Sequence, residues 1–140
     1  MQTRKRYNRG MNKYLSTLIS GDILAIFIIT LVGFATHGPL SFDLLPRMMT
    51  TFLPMLAGWF LIAPWFGLFS ESITQNPRQL WRPIYAMLLA APLTGVLRAG
   101  MLNGVALPLF VLILGASAAL GMLVWRVIFL FIQRRLSLVQ

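Results

Sequence analysis

The sequence predicts an all-α integral membrane bundle of four transmembrane helices, with the N- and C-termini on the cytoplasmic side. Three observations predict it. The 140 residues are 58% hydrophobic and 11% charged, against roughly 45–50% and about 25% in a soluble domain, and the mean hydropathy is +0.78. The apolar residues gather into four runs of about the 20 residues a helix needs to cross hydrocarbon. The twelve Lys and Arg, set against three acids for a net charge of +9, lie mostly at the ends of those runs, where they set orientation. The organisation expected is a basic cytoplasmic arm at 1–13, one transmembrane domain at 14–135 and a short tail at 136–140.

The arm, MQTRKRYNRGMNK, carries five Lys or Arg and no acid. It suits anionic headgroups, or acts only as a loose tail that fixes orientation. Span one follows from about Tyr14 to Ala35. It is too long for the apolar core of a signal peptide, so a retained span is expected. Residues 36–47 form the first loop, punctuated by Gly38-Pro39 and Pro46, and hold the single histidine, His37, with Asp43 and Arg47.

Span two runs from about Leu45 to Phe69. Pro54 and Pro64 interrupt it, and a kink is expected there. Its aromatic group, Trp59, Phe60, Trp65, Phe66 and Phe69, reads as an interfacial belt. Residues 70–78 are the one strongly polar linker. Span three runs from about Gln79 to Gly100, with Pro83 suited to a first helical turn and Pro92 in the middle. Asn103-Gly104 marks a tight turn, and span four runs from about Ala106 to Ile132. Five basic residues in the arm, Arg78 and Arg82 in loop two, and Arg134 and Arg135 at the end fall on one side. The other side has Arg47 and Arg98. That bias places both termini in the cytoplasm.

Two polar groupings stand out. Asp22 lies inside span one, where a carboxylate costs about 2.5–3.5 kcal/mol and needs a partner. Arg126 lies inside span four. Each is eight residues from the basic end of its span, about 12 Å deep at 1.5 Å per residue, so the two are expected to pair. Residues 4, 7 and 11 before Arg126 are Met122, Ala119 and Gly115, a mostly small face that points Arg126 into the bundle. The pair is either a proton relay or anion site, or a clamp that fixes helix register. On the outer side, Arg98 is expected to pair with Asp43, with His37 nearby. His37 is a ligand for a metal, haem or tetrapyrrole, a pH sensor, or a helix-end cap. No metal site is expected from one histidine without a second His or a Cys.

The chain has no cysteine, which excludes disulfides, Cys-ligated zinc and iron–sulfur clusters. It has no HExxH, GxSxG or Walker loop and no paired-carboxylate site, so a non-enzymatic role is expected. No basic face interleaved with aromatics points to nucleic acid.

Several short motifs recur in a fixed order: Gly21-Asp22, Gly33, His37-Gly38, Phe52-Leu53-Pro54, Gly58-Trp59, Leu97-Arg98 and Trp125-Arg126. Over about residues 15–130 the chain resembles a small bacterial and archaeal membrane family catalogued as domain of unknown function thirty fifty-four. It departs from that pattern at Phe34, where the family has a basic residue near Gly33, and at Val124, where a Gly usually precedes the Trp-Arg pair. The resemblance implies a four-helix membrane fold in which Asp22, His37, Arg98 and Arg126 matter, and it supplies no biochemical function. The functional expectation is an accessory or assembly subunit of a membrane complex in a prokaryotic cell (inner) membrane. Its partners would be the lipid bilayer and other membrane subunits or a second copy. The alternatives are a small dimeric transporter or permease using Asp22, and a cofactor or pigment carrier using His37.

Overall fold

The computed structural model describes residues 2–39 and 41–137 and is all-helical among them. Helix α1 spans Gln2–Ala35, α2 Leu45–Ile62, α3 Glu71–Thr74, α4 Trp81–Met101 and α5 Pro108–Ser137. Four stretches are long and apolar enough to cross a membrane: Met11–Ala35, Phe42–Phe66, Pro77–Met101 and Pro108–Ser137. α1 begins earlier than the first apolar run. The basic arm carries Gln, Lys, Arg and Met, good helix formers, and its backbone continues the helix instead of forming a loose tail.

Each helix boundary has a local cause. Pro46 lies in the first turn of α2 and Pro83 in the first turn of α4, while Pro108 opens α5; a first-turn proline removes only an N–H that has no helical partner. Pro54 and Pro92 lie within continuous helices. Pro64 does not kink span two but ends it. α2 stops at Ile62, and Ala63–Phe66 tightens into a 3-10 turn.

Two helix ends share one solution. Gly67 has φ 66°; its N–H bonds the Pro64 carbonyl at 2.9 Å, and the Leu68 N–H bonds the Ala63 carbonyl at 3.1 Å. This is a Schellman closure, which needs a left-handed residue. Asn103, at φ 49°, does the same for α4: Gly104 N–H reaches the Ala99 carbonyl at 2.9 Å and Asn103 N–H the Gly100 carbonyl at 3.3 Å. The expected turn at Asn103-Gly104 is therefore a helix-ending motif.

The long helices close a ring in the order α1–α2–α4–α5, with α5 returning to α1. Small residues set the spacing. A Cβ at Gly58 would meet the Ala90 carbonyl at 3.1 Å, and one at Gly115 would meet Ala91 Cβ at 2.8 Å. Close approach of this kind lets dispersion hold helices together in lipid, where the hydrophobic effect between them is weak. The core between them holds Ile26, Met55, Trp59, Met87 and Met122. Leu and Ile side chains cover much of the outer surface, as lipid contact requires.

A closed polar centre between the first and last spans

The bundle is polar at one point in its core. Asp22 on α1 is fully buried and Arg126 on α5 is 3% exposed, and Arg126 Nη2 lies 2.7 Å from Asp22 Oδ2. Two indoles complete the carboxylate. Trp59 Nε1, on α2, donates to Oδ2 at 3.0 Å, and Trp125 Nε1, on α5, donates to Oδ1 at 2.8 Å. Three helices thus converge on one side chain. Both carboxylate oxygens are engaged by charged or polar N–H donors, the condition under which a buried charge is tolerated.

The residues beside these groups explain how they fit. Gly21 faces the Trp125 ring so closely that a Cβ there would sit inside the ring's contact surface. Glycine at 21 therefore allows the indole to lie against α1 and reach the neighbouring Asp22. Gly58, the neighbour of Trp59, serves a different contact: it lets α2 approach α4 at Ala90 and Thr94. The Arg126 guanidinium also lies over the Trp59 ring, 5.6 Å from its centroid, where the ring quadrupole favours a cation.

Arg126 has a second role. Its Nη1 donates to the Leu68 carbonyl at 3.0 Å, which the left-handed Gly67 turns toward the core. Arg82 Nη1 donates to the Phe66 carbonyl at 2.9 Å, and its Nε to Gln79 Oε1 at 2.6 Å. Two guanidiniums thereby satisfy carbonyls freed at the end of span two. Arg126 Nε is buried and meets no acceptor among the described residues. A cavity of about 10 Å³ beside Arg126, lined also by Thr74 and Asn76, is about the size of one water.

Toward the end of the bundle that carries the termini, Tyr14 closes the centre off. Its hydroxyl hydrogen-bonds Thr74 of α3, and its ring packs edge-on against Phe129 at 5.4 Å, which in turn lies 5.7 Å from Trp125. Beyond Tyr14 an open cleft of about 680 Å³ lies between α1, α3 and α5, with Lys13, Glu71 and Arg134 on its walls.

The outer cluster departs from expectation. Among the described residues, no ion pair joins Arg98 to Asp43. Arg98 Nε donates instead to Thr51 Oγ1 at 2.9 Å, and its guanidinium lies 4.6 Å from the Phe110 ring centroid. The reason is the packing of α4 on α2: it sets Thr51, two turns beyond Asp43, opposite Arg98. Asp43 stays exposed in a short 3-10 turn at Phe42–Leu44. His37 is exposed at the end of α1 and away from Arg98's contacts. Among the described residues, no group of three His, Cys, Asp or Glu could hold a metal.

The two indole donors to Asp22 are the site members that spacing alone misses. Trp59 is fully buried and does not belong to an interfacial belt, whereas Trp65, six residues on, is 85% exposed. The signal was available: a buried indole needs an acceptor, and Gly58-Trp59 and Trp125-Arg126 are two of the ordered motifs.

No curated protein and no solved structure matches the chain. Residues 19–129 match the family described as Protein of unknown function (DUF3054). Of the ordered motifs that carried the resemblance, Gly21-Asp22, Gly58-Trp59 and Trp125-Arg126 meet at the closed centre. The matched span includes the four donor and acceptor side chains and most of all four crossings, and the chain belongs to that family.

Proposed function

We propose that this four-span protein is a non-enzymatic accessory or assembly subunit of a membrane complex, resident in a prokaryotic inner membrane with both termini in the cytoplasm. The observation that supports this is the closure of Asp22. A carboxylate that carries a substrate must exchange partners during its cycle. Here Trp59, Trp125 and Arg126 occupy both oxygens within 3.0 Å. The strongest polar groups are spent on holding α1, α2 and α5 together, and the protein acts through its outer faces. Extraction in mild detergent after crosslinking in the membrane tests the reading. A partner subunit should be recovered in fixed ratio. Recovery of a lone chain under all conditions would refute it.

A second reading, a small dimeric transporter or permease using Asp22, draws on the cleft at the terminal end. Tyr14 lines that cleft and hydrogen-bonds Thr74, which lines the small cavity beside Arg126. Flux into liposomes, compared between wild type and Asp22→Asn, tests it. Equal flux removes Asp22 from any transport mechanism.

A further inference from the structure

The 680 Å³ cleft has features that the closed centre does not use. Lys13 and Arg134 stand on its walls, on α1 and α5, and among the described residues neither makes an ion pair. Glu71 faces the same space from the first turn of α3. Its Oε1 accepts from Gln75 Nε2 at 2.8 Å, and its other oxygen has no donor among the described residues. The two cations sit near the ends of the spans Met11–Ala35 and Pro108–Ser137, at the level where headgroups lie. Leu130 and Leu136 carry the wall in apolar form. Leu136 is exposed on the outer surface, while Leu130, six residues earlier on α5, is buried.

We propose that this cleft binds the headgroup of an aminophospholipid. The phosphodiester is held by Lys13 and Arg134, and the primary ammonium by the free oxygen of Glu71. Two cations and one carboxylate match a group that carries one negative and one positive charge. A purely anionic headgroup would set its own charge against Glu71. A quaternary ammonium would reach the carboxylate but could donate no hydrogen bond to it. Basic pockets between spans are suited to phosphate headgroups for the same electrostatic reason. The occupied cleft would press on Tyr14, whose ring contacts Phe129 and through it Trp125. A bound lipid would therefore brace the approach to the polar centre.

The test is thermal unfolding of the full chain in an uncharged detergent, titrated with single lipids. Phosphatidylethanolamine should raise the unfolding temperature in a saturable way, and more than phosphatidylglycerol or phosphatidylcholine at equal concentration. Lys13→Gln and Arg134→Gln should each weaken the apparent affinity about fivefold, the effect of one surface cation. Glu71→Gln should abolish the preference over phosphatidylglycerol. Arg78→Gln, which lies in the second loop and not on the cleft, should leave the response unchanged. Soluble glycerophosphoethanolamine separates headgroup capture from bilayer anchoring; a saturable shift with it alone would place the specificity in the headgroup. Equal stabilisation by all three lipids, or an equal loss with Arg78→Gln, would overturn the proposal. So would a stronger response to phosphatidylglycerol. The response is read independently of any partner subunit, so failure here leaves the accessory role standing.

Discussion

Asp22 is the side chain whose surroundings are most completely specified. It accepts one charged donor and two indole donors, and each should be measurable. Trp59→Phe and Trp125→Phe each remove one N–H from a buried carboxylate, and each should cost about 1.5–3 kcal/mol in unfolding measured in detergent. Arg126→Ala strands the carboxylate and should cost about 3–5 kcal/mol. The double change with Asp22→Ala should be milder than Arg126→Ala alone; independent effects in the double-mutant cycle would contradict direct pairing. Gly21→Ala drives a methyl into the Trp125 ring and should cost about 1–3 kcal/mol. Combining it with Trp125→Leu should cost less than the sum of the two. The Asp22–Arg126 contact was legible because both residues are charges in apolar runs at equal distance from a basic end. The indoles were not, because a tryptophan in a run rich in Phe and Trp carries no mark of which way it points. The Leu68 carbonyl could not be read at all, since any backbone acceptor is silent in sequence.

The elements divide into those whose ends are written in residue type and those whose ends depend on packing. Pro83 in the first turn of α4 and a turn at Asn103-Gly104 were visible, whereas Pro46, read as loop punctuation, lies in the first turn of α2. The end of α2 was not. The apolar run continues to Phe69, but Pro64 and the left-handed Gly67 fold the last residues back so that Leu68 faces the core. Gly67→Ala forces a side chain into positive φ and toward Ile73. It should cost about 1–2 kcal/mol from the backbone alone, and it should also loosen Arg126 by displacing the Leu68 carbonyl. Asn103→Gly, at the equivalent position of the other closure, relieves a left-handed non-glycine residue and should be neutral or slightly stabilising by the same measurement. The expected Arg98–Asp43 pair fails for a similar reason. Loop residues near a span end resemble one another in sequence, and only the placement of α4 against α2 decided that Thr51, and not Asp43, meets Arg98.

For the molecule as a whole, composition and the four apolar runs were enough to give the class of fold, and the ring order had to come from the structure. The proposed orientation has a direct test because the chain has no cysteine of its own. Val105→Cys, at a site 84% exposed in the third loop, should react with an impermeant thiol reagent in intact cells. Ser137→Cys should react only after the membrane is opened. The reverse pattern would invert the assignment. The Asp22–Arg126 contact spans 104 residues of chain, and this has a consequence for biosynthesis. At roughly 5–20 residues per second, the ribosome delivers the arginine some five to twenty seconds after the aspartate. During that interval the nascent first helix carries a carboxylate whose cationic partner has yet to be made, so chains cut short before Arg126 should be degraded faster than full chains in a pulse-chase.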